Sequence, residues 1–67
     1  MYFPRIRDLR EDADKTQVEI ANFLQMNRNV YRRYESGLRE IPVWAAIKLA
    51  QYYKVSTDFL FGLSNER

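Results

Sequence analysis

Apolar residues recur along this chain at intervals of three and four, and no stretch alternates apolar with polar, which predicts short helices and no sheet. The first helix is expected from about Pro4 to Ala13. Its proline suits a first helical position, and Ile6, Leu9 and Ala13 share one face. Thr16-Gln17-Val18-Glu19 reads as a capping box opening a second helix, whose apolar face is Ile20, Ala21, Phe23 and Leu24 and which ends near Leu24. Asn27 is placed to cap a third helix running to about Ser36, and Gly37 stands where a left-handed residue closes it. The link from Gln25 to Asn27 is so short that helices two and three must cross steeply, and the small Ala21 lets them approach. Pro42 opens a fourth helix to about Tyr53, with Val43, Ala46, Ile47, Leu49, Ala50 and Tyr53 as the expected buried arc. Ser56 caps a short fifth helix with Asp58 in its first turn, Gly62 ends it, and residues 63–67 are expected to fray.

Five short helices in 67 residues make one domain, 1–67, with a core of about 5–62. A domain this small buries roughly 60% of the surface its unfolded chain exposes, so its stability margin is thin. Cysteine and histidine are both absent, which removes disulfides, thiolate zinc sites, thiol nucleophiles and every imidazole-based catalytic arrangement. The two glycines, Gly37 and Gly62, lie in no phosphate-cradling loop. No constellation supports an enzyme, and no cofactor, metal or small-molecule ligand is expected. The longest apolar run, Val43 to Ile47, is too short to span a bilayer, and the residues from Met1 to Arg5 do not read as a signal peptide, so no membrane partner and a cytoplasmic location are expected.

The net charge of +2 says little, but its distribution says more. Between Asp8 and Glu19 five carboxylates face two cations, a local balance of −3; between Arg28 and Arg39 four arginines face Glu35 alone, a balance of +3. On a wheel of about 100° per residue starting at Arg28, Arg32 falls near 40°, Asn29 near 100° and Arg33 near 140°. Asn27, Val30, Tyr31 and Tyr34 fall on the other side. The third helix therefore has a tyrosine–valine face for the domain and an arginine–asparagine face for solvent. The bland alternative is a solvated face, but such faces usually space carboxylates against their cations, and this arc holds none. Arginine pairs with O6 and N7 of guanine and asparagine with N6 and N7 of adenine, and a helix is the element that fits the major groove.

Thr16-Gln17, Ile20-Ala21, Leu24, Met26, Tyr31, Tyr34-Glu35-Ser36-Gly37, Pro42, Lys48-Leu49-Ala50, Val55-Ser56 and Leu60, in this order and spacing, resemble the phage repressor and Cro-type helix-turn-helix, the XRE-like regulators. The resemblance covers about residues 5–62. It implies an all-α, compact five-helix bundle of the lambda repressor-like kind, in which helices two and three form the helix-turn-helix and helix three reads DNA. By position it implies base-reading roles for Asn27, Arg28, Asn29 and Arg33, phosphate contacts from Gln17, Arg32 and Arg39, and a buried salt bridge between Arg10 and Glu35. The implied partner is double-stranded DNA, and the implied function is transcriptional regulation by a repressor. Three or four base contacts per subunit discriminate too little against a genome, so a homodimer on a palindromic operator is expected.

Three positions depart from the family pattern. Gln25 stands where glycine usually adopts a left-handed turn, at a cost of about 1 kcal/mol. Lys15 replaces the apolar residue that would staple onto Ile20. Tyr31 replaces an aliphatic residue and brings a hydroxyl that could emerge near a phosphate. Trp44, Phe59, Phe61 and Leu63 are candidate interface residues, Trp44 for a second subunit or against the DNA backbone and the other three as an apolar patch suited to a dimer. The rival function is a helical protein-interaction module, an antitoxin or adaptor, acting through Trp44 and the C-terminal aromatic patch.

Overall fold

The computed structural model describes residues 2–67 and contains five α-helices in sequence: α1 (Pro4–Asp12), α2 (Gln17–Phe23), α3 (Arg28–Ser36), α4 (Val43–Tyr53) and α5 (Thr57–Leu60). Met1, the first residue of the expected domain, lies outside the described residues. No strand occurs among the described residues.

Most helix ends are set by the residues the pattern singled out. Pro4 opens α1. At α2 the capping box is complete: Thr16 Oγ1 accepts from the Glu19 amide and Glu19 Oε1 accepts from the Thr16 amide, both at 3.1 Å. The Asn27 side chain caps α3 by accepting the Asn29 amide at 2.7 Å. Gly37 closes α3 at φ +84°, and Ser56 caps α5 through the Phe59 amide at 3.0 Å. Gln25 takes the left-handed turn between α2 and α3 at φ +57° despite its Cβ. Asp14 after α1 (φ +56°) and Lys54 after α4 (φ +58°) do the same, and neither was anticipated.

The core is Ile6 and Leu9 of α1, Ile20, Ala21 and Leu24 around α2, Tyr31 of α3, Ala45, Ala46 and Leu49 of α4, and Leu60 of α5. α2 packs mainly on α3, α1 on both α3 and α5, and α4 on α5. The burial of Ala21 agrees with its expected role at the α2–α3 crossing. Four expected core positions are corrected. Ala13, Phe23, Val43 and Ile47 are exposed, while Ala45 is buried in full. The reason is rotation of α4: Ala45, Ala46, Leu49, Ala50 and Tyr53 form its inner arc, and Val43 and Ile47 lie one step outside it. Three alanines allow a close approach of α4 that larger side chains would block, so size outranks hydrophobicity there. Ala13 has already left α1 as its C-cap residue, and Phe23 instead stacks on Tyr52 with ring centroids 4.6 Å apart.

Residues 63–67 follow α5 without a helix. The Arg5 guanidinium holds this segment, donating to the carbonyls of Phe59 (2.9 Å) and Ser64 (2.5 Å) and to Asn65 Oδ1 (2.6 Å). One side chain near the N-terminus thereby ties α1 to the C-terminal end of the chain.

Candidate nucleic-acid interface

The outer face of α3 carries Arg28, Asn29, Arg32 and Arg33, all exposed, followed by exposed Arg39 in the turn after the helix. None of these arginines joins an ion pair among the described residues. Tyr31 is buried in full on the opposite face, with Val30 and Tyr34 half-buried beside it. The Tyr31 hydroxyl therefore cannot emerge at a phosphate. It is drawn inside because position 31 faces the hydrophobic core, where its ring fills the space an aliphatic residue would leave.

The two asparagines differ in what they have free. The Asn27 side-chain oxygen is committed to capping α3, so its amide nitrogen is left as a donor. The Asn29 side chain makes no hydrogen bond among the described residues and keeps both its donor and acceptor. Paired recognition of adenine needs both groups, which makes Asn29 the better equipped of the two.

The orientation of α3 is fixed from behind by a buried polar cluster. Arg10 of α1 grips Glu35 of α3 with two bonds, Nε to Oε2 at 2.9 Å and Nη2 to Oε1 at 3.0 Å. Gln17, at the start of α2, donates its amide to the same Glu35 Oε1 at 3.2 Å. Arg10 Nη1 also donates to the Lys15 carbonyl at 2.8 Å, binding the α1–α2 turn at the place where the apolar staple is missing. Three helices thus converge on one carboxylate. Burial pushes the Glu35 carboxyl up, but hydrogen bonds from Arg10 and Gln17 and the nearby Tyr31 hydroxyl outweigh it and hold it below its ordinary value. The hydrogen bond to Glu35 holds the Arg10 guanidinium above its ordinary value, against the effect of burial. Behind this cluster, burial raises the Tyr31 and Tyr53 phenols, and the Tyr53 hydroxyl has no hydrogen-bond partner among the described residues.

Gln17 and Ser36 open onto a polar cleft of about 180 Å³ that also includes Tyr2, Arg7, Arg10 and Glu35. Tyr2 and Arg7 were not foreseen at this surface. Tyr2 precedes the first periodic segment and Arg7 lies on the polar side of α1, so helical spacing carries no signal for either. Tyr2 is brought there by Gly37: a Cβ on Gly37 would lie 2.9 Å from the Tyr2 Cα.

The candidate interface residues fare differently from one another. Phe59 is half-buried with the Arg5 guanidinium 4.2 Å above its ring, and Phe61 is half-buried against Phe3 at 4.7 Å. Trp44 and Leu63 are exposed. No helix among the described residues is long and apolar enough to cross a membrane, and no cluster there could hold a metal ion.

Residues 6–60 match the helix-turn-helix family. The chain is 38% identical over 55 residues to the cryptic phage CTXphi transcriptional repressor RstR of Vibrio cholerae, covering 82% of this chain and 50% of RstR. It is 36% identical over 58 residues to the HTH-type transcriptional regulator ImmR of Bacillus subtilis, covering 87% of this chain and 46% of ImmR. It is 35% identical over 60 residues to the SPbeta prophage-derived HTH-type regulator YonR of the same organism, covering 90% of this chain and 56% of YonR. The chain therefore spans about half the length of the curated relatives it matches. No solved structure gives a significant match. With α2 and α3 joined by a tight turn, an arginine–asparagine face on α3 and a match from residue 6 to residue 60, the chain belongs to the helix-turn-helix family, in its phage repressor-like XRE branch.

Proposed function

We propose that this chain binds double-stranded DNA sequence-specifically as a transcriptional repressor, with α3 in the major groove. The observation that carries this reading is the outer face of α3, where Arg28, Asn29, Arg32 and Arg33 stand free of carboxylates on a helix braced from behind by Arg10, Glu35 and Gln17. Asn27, Arg28, Asn29 and Arg33 reach base edges or the adjoining phosphates; Gln17, Arg32 and Arg39 hold phosphates. The Gln17 side-chain oxygen stays free while its amide is tied to Glu35, so its phosphate contact is made through the amide's second hydrogen. The relatives named as repressors and regulators support this reading over a protein-interaction module, as does the engagement of Phe59 and Phe61 within the domain.

The protein acts in the cytoplasm as a homodimer on a palindromic operator, with half-site centres about one helical turn apart, and represses by occupancy. It performs no catalysis and needs no cofactor. Selection from a random duplex pool with the purified protein, followed by sequencing, tests this directly. Enrichment of a palindrome is the expected result. Failure to enrich any sequence at low salt would overturn the reading of this chain as a DNA-binding repressor.

A further inference from the structure

The segment ahead of α1, the turn into α4 and the chain after α5 meet around an apolar cleft of about 340 Å³. Its walls are Phe3, Ile41, Phe61 and Leu63, with one charged side chain, Glu40, among them. Phe3 and Phe61 are half-buried, with ring centroids 4.7 Å apart and planes tilted by 56°, and form an aromatic corner. Leu63 is exposed on the other side. Glu40 is exposed and joins no ion pair among the described residues. These positions lie far apart in the chain, so no local pattern signals the cleft. The arginine face of α3 takes no part in it.

We propose that this cleft binds a small organic cation, an ammonium group carried on an apolar body about the size of one aromatic ring. The inference does not depend on the DNA reading. Three observations select this occupant.

The first is charge. An apolar surface alone chooses nothing, but a free carboxylate at its edge favours a cation and repels an anion. The negative faces of the Phe3 and Phe61 rings act in the same direction, since an ammonium is attracted to an aromatic face within about 6 Å of its centre.

The second is size. A volume of about 340 Å³ falls at the lower end of the range of small-molecule pockets, roughly 300–1,000 Å³. A stable protein–protein interface needs about 800 Å² and 20–30 residues from each partner, and five residues line this cleft.

The third is that the walls are held before any ligand arrives. Arg5 donates to the carbonyls of Phe59 and Ser64 and to Asn65 Oδ1, so Phe61 and Leu63 lie between anchored residues. Its guanidinium also packs 4.2 Å from the centre of the Phe59 ring, and it forms no ion pair with Glu40. Ile41 precedes Pro42, whose ring restricts the backbone of the residue before it.

The test uses the full chain, free of DNA, and three probes at pH 7 and constant ionic strength. 2-Phenylethylammonium has both the ring and the positive charge, 3-phenylpropionate has the ring with a negative charge, and ethylammonium has the charge without the ring. Methyl NMR signals of Ile41 and Leu63 report occupancy, and the melting temperature reports binding to the folded state. 2-Phenylethylammonium is expected to shift both methyl signals saturably and to raise the melting temperature, and the other two probes to do neither at the same concentration. Glu40→Gln should weaken its binding by about fivefold, the factor an exposed ion pair supplies, without changing the melting temperature of the free protein. Asp8→Asn, which removes the same charge from α1 outside the cleft, should leave binding unchanged. Leu63→Ala removes an exposed wall and should weaken binding with little effect on folding. Equal binding of the two aromatic probes, an equal loss from Asp8→Asn, or no saturable shift at Ile41 and Leu63 would overturn the proposal. So would methyl shifts that follow protein concentration without any probe, because a second copy of the chain would then fill the cleft.

Discussion

Glu35 shows how much one buried residue carries in a domain of this size. It is the only buried charged residue among those described, and α1, α2 and α3 are all tied to it through Arg10 and Gln17. Because its carboxyl sits below the ordinary value of 4.5, it titrates to lower pH in the folded than in the unfolded chain. The stability it contributes is complete above 4.5 and is lost as pH falls through the folded value. Glu19, held below its ordinary value by the Thr16 amide, adds a smaller effect of the same sign. Melts from pH 7 downwards should show the melting temperature falling once pH drops below about 4.5, and Glu35→Gln should flatten that fall while lowering stability at neutral pH. Removing the cation is worse than neutralising the acid. Arg10→Ala leaves a buried carboxylate without its partner, which costs about 3–5 kcal/mol, comparable to the whole stability of a small domain. The Tyr53 hydroxyl is the opposite case, a buried polar atom with no partner among the described residues. Tyr53→Phe should raise stability by about 1 kcal/mol in chemical denaturation, and a clear loss would show that an ordered water satisfies the phenol.

At the level of the elements, backbone conformation separates two turns that look alike in sequence. Gln25 and Gly37 flank α3, and both have positive φ. Gln25 bears a Cβ in a region that glycine enters freely, so Gln25→Gly should stabilise the domain by up to about 1 kcal/mol. Gly37→Ala should do the reverse and by more, because the new methyl meets the Tyr2 backbone at 2.9 Å and must move the segment before α1. Paired denaturation curves of the two variants check both signs at once. The fold itself was largely legible in the chain: caps and turn residues announce themselves locally, which is why Thr16, Asn27, Gly37 and Ser56 stand where the pattern put them. What could not be read is the rotation of α4. Val43 and Ile47 are more hydrophobic than Ala45, and only the closeness of the packed helices decides in favour of the alanine. The same limit applies to the candidate site. The arginine face of α3 follows from spacing, but the arrival of Tyr2 beside Gly37 depends on packing that no local pattern encodes.

Over the whole molecule, the near balance of charge sets how the domain distinguishes specific from general attraction to DNA. A net charge of +2 gives little long-range pull, so affinity must come from the arginines gathered between positions 28 and 39. The two ends of that cluster should respond differently to truncation. Arg33 lies on the outer face of α3, whereas Arg39 follows the helix in a turn whose amide donates to the Arg33 carbonyl at 3.2 Å. If Arg39 holds a phosphate as proposed, Arg39→Ala should weaken binding alike on the operator and on unrelated duplexes, and the slope of log affinity against log salt should fall by about one. If Arg33 reads a base as proposed, Arg33→Ala should lower affinity by roughly 1–3 kcal/mol on the operator, with discrimination lost at one position in each half-site. Titrations of both variants at several salt concentrations, on the operator and on single-position mutants of it, separate these outcomes. A sequence-selective loss from Arg39→Ala, or an unchanged sequence preference from Arg33→Ala, would reassign the two arginines, because phosphate contacts carry no sequence information and base contacts contribute little to the salt slope.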